Sequence, residues 1–108
     1  MAKNDSGGVE LGLIPPVTGS FTATGNGAEF KPRPGKFNLA IYGTFTATVK
    51  LQRSFDGGDN WIDCTNLGSA VSFSTAATEV IDEPEREVRY RLNCSAYTSG
   101  TVNWRLSQ

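Results

Sequence analysis

Lys50-Leu-Gln-Arg-Ser-Phe-Asp-Gly-Gly-Asp-Asn-Trp-Ile-Asp63 is a strand, a tight turn and a second strand written in one line. Val49 and Leu51 alternate with Lys50 and Gln52, a period of two that sets apolar groups on one face of a sheet. Ser54, Asp56, Gly57 and Gly58 then arrive together. Glycines take positive φ without a steric penalty, and an Asp carboxylate accepts hydrogen bonds from the N–H groups of its own turn. Trp61 and Ile62 resume the apolar pattern, so the stretch predicts a β-hairpin.

The pattern continues outward from this hairpin. Upstream, Phe37, Leu39 and Ile41 alternate as one strand, Gly43-Thr-Phe45 turns, and Thr46–Arg53 leads into the quoted turn. Ser20–Thr24 and Ala28–Lys31 flank Gly25-Asn26-Gly27, which reads as a further hairpin because Asn and Gly accept left-handed φ. Gly19-Ser-Phe-Thr-Ala-Thr24 and Gly43-Thr-Phe-Thr-Ala-Thr48 nearly repeat, but two copies fall short of a repeat architecture. Downstream of Trp61–Thr65, a loop at Asn66–Ser69 precedes a strand at Ala70–Ser74, with a weaker strand at Thr78–Ile81. Asp82–Glu87 is a charge run around Pro84; its spacing fits no cation loop, so a solvated turn is expected. Val88, Tyr90, Leu92, Cys94 and Ala96 give the longest alternation, and Val102, Trp104 and Leu106 close the chain as the return strand of a final hairpin.

Short strands with turns every 8–12 residues and no helical period predict an all-β fold, an antiparallel β-sandwich of jelly-roll or immunoglobulin-like order. The sandwich is expected over residues 19–108, after an extended N-terminal arm over residues 1–18. In that arm Val9, Leu11, Leu13, Ile14 and Val17 are apolar, while Pro15 and Pro16 keep the backbone out of a helix. Such a strip either folds back on its own domain or invites a partner.

Composition narrows the chemistry. The 108 residues suit one domain, and a net charge of −1 lacks the electrostatic footprint of a nucleic-acid binder. No apolar run reaches the ~20 residues that span a bilayer, so no membrane role is expected. The chain has no histidine, the commonest general base and metal ligand. Cys64 and Cys94 lack zinc spacing and fall on inward positions, where they read as buried thiols, with a disulfide between them as the alternative if their Cα atoms come within ~7 Å. Arg89, Arg91 and Arg105 are expected to share an outward face with Tyr97, but no base oriented by a third group accompanies them, so no catalytic site is expected. No cofactor or metal is expected either. Trp61 and Trp104 read as core residues; exposed, Trp61, Tyr42 or Tyr97 would suit stacking on a sugar face.

Two resemblances rest on these residues. Ser54-x-Asp56-x-Gly58-x-x-Trp61 resembles the Asp-box of sialidases and other β-rich proteins, with Asn60 where that family usually has Thr. It implies a fastened turn, not a hydrolase. Leu51–Gly58 with Trp61, Glu83-Pro84, Tyr90–Cys94, Tyr97–Val102 and Arg105–Gln108 resemble a group of small β-rich virion proteins of tailed bacteriophages and prophages. That likeness runs from about Gly35 to Gln108. It implies a capsid decoration or cement protein, made in the bacterial host cytoplasm and resident on the virion. The expected partner is the major capsid protein of a phage head, engaged through the arm by a homo-oligomer, with a trimer as the expected form. The alternative is a carbohydrate- or receptor-binding module, or a minor head-tail or tail component.

Overall fold

The computed structural model describes residues 14–108. Eleven strands lie among the described residues: β1 (Val17–Phe21), β2 (Gly25–Asn26), β3 (Gly35–Tyr42), β4 (Phe45–Ser54), β5 (Ile62–Asp63), β6 (Thr65–Asn66), β7 (Ser69–Ala70), β8 (Ser72–Phe73), β9 (Ala77–Glu83), β10 (Arg89–Gly100) and β11 (Val102–Ser107). Every pairing is antiparallel. One sheet runs β9-β3-β11-β1; the other runs β2-β10-β4-β5, with β8 also on β4. The expected antiparallel β-sandwich is the fold observed.

Its frame is a single ribbon. β3 pairs with β11 and β4 with β10, so residues 35–54 run against residues 89–107 and fold over together into two layers. That wrapping is of the jelly-roll kind. The crease falls at Gly43 on one arm of the ribbon and Gly100 on the other, at φ of 110° and 89°. L side chains rarely adopt such angles. The Thr101 N–H donates to the Thr44 carbonyl at 3.1 Å, tying the two bends to each other. Both near-repeats, at residues 19–24 and 43–48, lie where the chain passes from the first sheet to the second.

Alternation fills the space between the layers. Phe37, Leu39 and Ile41 of β3, Val49 and Leu51 of β4, Tyr90, Leu92 and Cys94 of β10, and Val102, Trp104 and Leu106 of β11 are all buried. Each full apolar burial of this kind contributes roughly 1.5–3 kcal/mol gross. The Phe37 and Tyr90 rings meet edge to face at 4.7 Å, and Phe30 joins them at 5.5 Å from Phe37. Trp104 packs on Phe21, and added Cβ atoms at Gly19 and Gly27 would both fall under 3 Å from its ring. These small residues let the indole lie close to the backbone at that edge of the sandwich.

Several sequence expectations change. Gly25-Asn26-Gly27 is no hairpin turn: Gly25–Asn26 is itself a strand on β10, and the chain beyond it stays alongside, with Gly27 N–H to Leu92 O at 2.8 Å and Phe30 bridged to Tyr90. β10 and β11 are not one hairpin, because Gly100 sends them into different sheets. The alternation of β10 breaks at a register shift between Cys94 and Ala96. An extra residue in one strand reverses the facing of the residues beyond it, so Ala96 is exposed and Tyr97 packs against the core. Arg105 lies on the first sheet, away from Arg89 and Arg91 on the second. Thr78–Ile81 is the centre of a longer strand, β9, of seven residues.

Candidate functional site

The Ser54–Trp61 turn is a closed hydrogen-bond circuit. β4 and β5 pair across it through Gln52 with Asp63 and Arg53 with Ile62. The Ser54 hydroxyl, fully buried, donates to Asp56 Oδ1 at 2.7 Å and accepts the Gly58 N–H at 2.9 Å. Asp56 also accepts the Asn60 N–H at 2.9 Å and the Asn60 side-chain amide at 2.7 Å. These donors, Asn60 first and then Ser54, hold the Asp56 carboxyl down at about 2. Asn60, the departure from the Asp-box pattern, therefore supplies two of the bonds. Trp61 Nε1–H donates to the Gly58 carbonyl at 3.0 Å. Its ring is not in the core: it is half-buried on the outer face, with the Arg91 guanidinium 4.4 Å from the ring centroid. The cation covers one face of the ring. Ser54, Asp56, Gly58 and Trp61 thus come together as a structural unit.

The arm residues lie apart from it. Val9, Leu11 and Leu13 fall outside the described residues. Ile14 and Val17 are half-buried against the core, while Pro15 and Pro16 are exposed. Val17 opens β1 opposite Leu106, so the sandwich begins two residues before the expected boundary at Gly19.

The turn at residues 66–69 holds a residue that sequence reasoning passed over as ordinary loop. β6 and β7 pair through Asn66 with Ser69, leaving Leu67 and Gly68 at the tip with φ of 53° and 88°. Two-residue turns with both φ positive favour Asn-Gly. Leu67 is instead fully exposed. Among the described residues Tyr42, Phe55, Ile62 and Val80 are the other large apolar side chains on the surface, and Phe55 lies under the Arg53 guanidinium at 5.1 Å. The signal in the sequence was an apolar residue in the place where a turn calls for Asn.

The two edges of the sandwich differ. At the edge that ends in β1 on one sheet and β2 on the other, Trp104 packs against Gly19, Phe21 and Gly27. Opposite, β9 and the β6–β8 segment stand apart around a cleft of about 450 Å³, lined by Val71, Phe73, Ile81 and Glu79 among others. Deeper along β9, Glu83 is buried and accepts the Tyr90 hydroxyl at 2.8 Å, Arg53 at 3.2 Å and the Glu85 N–H at 2.9 Å. The charge run was expected to be a solvated turn; it sends this one carboxylate inward, and the Tyr90 hydroxyl is pushed well above its ordinary range by burial and by Glu83. Cys64 and Cys94 are buried free thiols, and burial raises Cys64 to about 11, far from the thiolate that reacts. Among the described residues no three His, Cys, Asp or Glu side chains gather in a way that would hold a metal ion, and no helix is long and apolar enough to cross a membrane.

No protein family and no curated protein matches the chain. Among solved structures the chain is similar to the Drosophila melanogaster CENP-C cupin domain, with a TM-score of 0.47 and 8% identity over 91% of this chain and 61% of that one. A second structure of that domain gives a TM-score of 0.46 and 9% identity over 91% and 60%. At that level no activity or partner transfers from one to the other.

Proposed function

We propose that the protein is a non-enzymatic virion structural protein of a tailed bacteriophage, a decoration or cement protein that binds the major capsid protein on the head surface as a homo-oligomer. The virion assignment rests on the sequence resemblance carried by Leu51–Gly58, Tyr90–Cys94 and Arg105–Gln108. The observation that supports a contact role is Leu67. Leu67 is held at a positive φ that costs an L residue roughly 1–2 kcal/mol, and its fully exposed side chain returns no burial in the isolated domain to offset that cost. Insertion into a partner's apolar socket returns about 1.5–3 kcal/mol of burial.

This makes stability and attachment separable. Leu67→Asn places the residue that the turn prefers at its tip. The isolated domain is expected to gain up to about 1 kcal/mol, within the range of a corrected turn position. Attachment to purified heads that lack the protein is expected to weaken. Calorimetry paired with co-sedimentation reads both. A variant that melts higher and still binds heads at the wild-type level removes Leu67 from the contact and, with it, the support for this reading.

A further inference from the structure

We propose that Asn26-Gly27 is a latent modification site, an asparagine held intact while β2 is docked on β10 and deamidated when that edge opens. It is the one Asn-Gly pair of the chain. The inference rests on the β2 edge alone and does not depend on a capsid partner.

The chemistry uses only this dipeptide and water. The Gly27 backbone nitrogen gives up its proton to hydroxide and attacks Asn26 Cγ; the bond from Cγ to the side-chain nitrogen breaks, and ammonia leaves. The cyclic imide so formed takes up water at either carbonyl, which gives aspartate or isoaspartate at position 26. Glycine favours the closure because it has no Cβ and leaves the backbone free to bend. In this fold glycine is needed there for a different reason. A Cβ at Gly27 would lie 2.8 Å from the Trp104 ring, so the packing of the indole installs the reactive pair.

The docked strand withholds both reacting groups. The Gly27 N–H donates to the Leu92 carbonyl at 2.8 Å, and an amide proton engaged in this way is lost only when the structure opens locally. Asn26 stands opposite Asn93, whose side-chain amide donates to Asn26 Oδ1 at 2.7 Å and ties the carboxamide to the neighbouring strand. Water is not the barrier, since Asn26 is exposed. The guard is the docking of β2, a strand of two residues at the end of its sheet, and short edge elements open at low free energy. The two products differ in consequence. Aspartate keeps the backbone and still accepts from Asn93. Isoaspartate adds a methylene to the main chain ahead of Gly27, which displaces Gly27 from Leu92 and uncovers Trp104, so the edge cannot close again.

The test incubates the full chain in mildly alkaline buffer beside a synthetic peptide of residues 22–31. Peptide mapping by mass spectrometry counts deamidated Asn26, and an isoaspartate-specific methyltransferase identifies the product. Asn26 in the folded chain is expected to react about tenfold more slowly than in the peptide, or slower still, the protection that two hydrogen bonds provide. Urea below the global transition should raise the rate in step with exchange of the Gly27 amide. Asn93→Ala removes one of the two bonds and should speed the reaction by up to about tenfold, with its fold checked by circular dichroism; if that variant does not fold, the urea series on the wild type decides. Asn26→Asp should keep the Gly27 amide protected, whereas purified isoaspartate protein should lose that protection. The proposal is overturned if folded chain and peptide react at the same rate, if urea has no effect until the whole chain unfolds, if folded Asn93→Ala reacts no faster, or if the isoaspartate protein still protects Gly27.

Discussion

Ser54 and Asp56 show how much a turn can hang on two side chains. Ser54 is both donor and acceptor within the circuit, and it is fully buried. Ser54→Ala strips Gly58 of its acceptor, and a buried polar group left unpaired costs about 1–3 kcal/mol; chemical denaturation should register that loss. Asp56 acts through charge as well. Its carboxyl is held at about 2 by Asn60 and Ser54, below the ordinary 3.8. A lowered folded-state value favours the folded protein above the unfolded-state value, and the advantage disappears as pH falls through the folded one. The stability difference between wild type and Asp56→Asn should thus be constant above about pH 5 and shrink between about pH 4 and 2. A difference that does not change with pH would mean that the carboxylate's charge contributes nothing to the turn. These residues were legible in the sequence because a turn is local chemistry. Arg91 over Trp61 was not, since the two lie far apart along the chain and only the pairing of β10 with β4 brings them to one face.

At the scale of elements, the crease of the ribbon is the feature on which the two layers depend. A Cβ at Gly100 would run into the Thr44 carbonyl oxygen and the Phe45 Cα, both backbone, at a φ of 89°. Neither neighbour can yield without moving the other arm of the ribbon. Gly100→Ala is expected to cost more than about 4 kcal/mol, the range of severe backbone conflicts, and thermal melting of that single variant checks it. Strand existence was readable from alternation throughout, and most inward residues of β3, β4 and β11 were assigned their correct face. Pairing was not readable. Gly100 and Gly25 both look like hairpin glycines, yet one creases a ribbon and the other lies within a strand. Local turn preference cannot say whether the next strand returns to the same sheet or crosses to the other one. The bulge after Cys94 has the same origin: it comes from fitting β10 to β4, and no residue of β10 announces it.

For the whole molecule, the boundary at Val17 sets what a truncation does. β1 flanks β11 and covers Trp104 through Gly19 and Phe21, so a deletion that reaches residue 21 should unfold the chain. Removal of residues 1–13 should leave a cooperative melt, because every described strand and its core remain. The same truncation tests whether Val9, Leu11 and Leu13 contribute to attachment beside Leu67. The candidate contact residues were only partly legible: the arm stood out by composition, but Leu67 acquires meaning only from the geometry of its turn. The central claim is that this sandwich coats a capsid. Counting its copies against the coat protein in purified virions, by quantitative mass spectrometry of dissolved particles, tests it most directly. A decoration protein should be present at a level comparable with the coat protein; a handful of copies per particle, or none, would contradict the account and favour a receptor-binding or tail role instead.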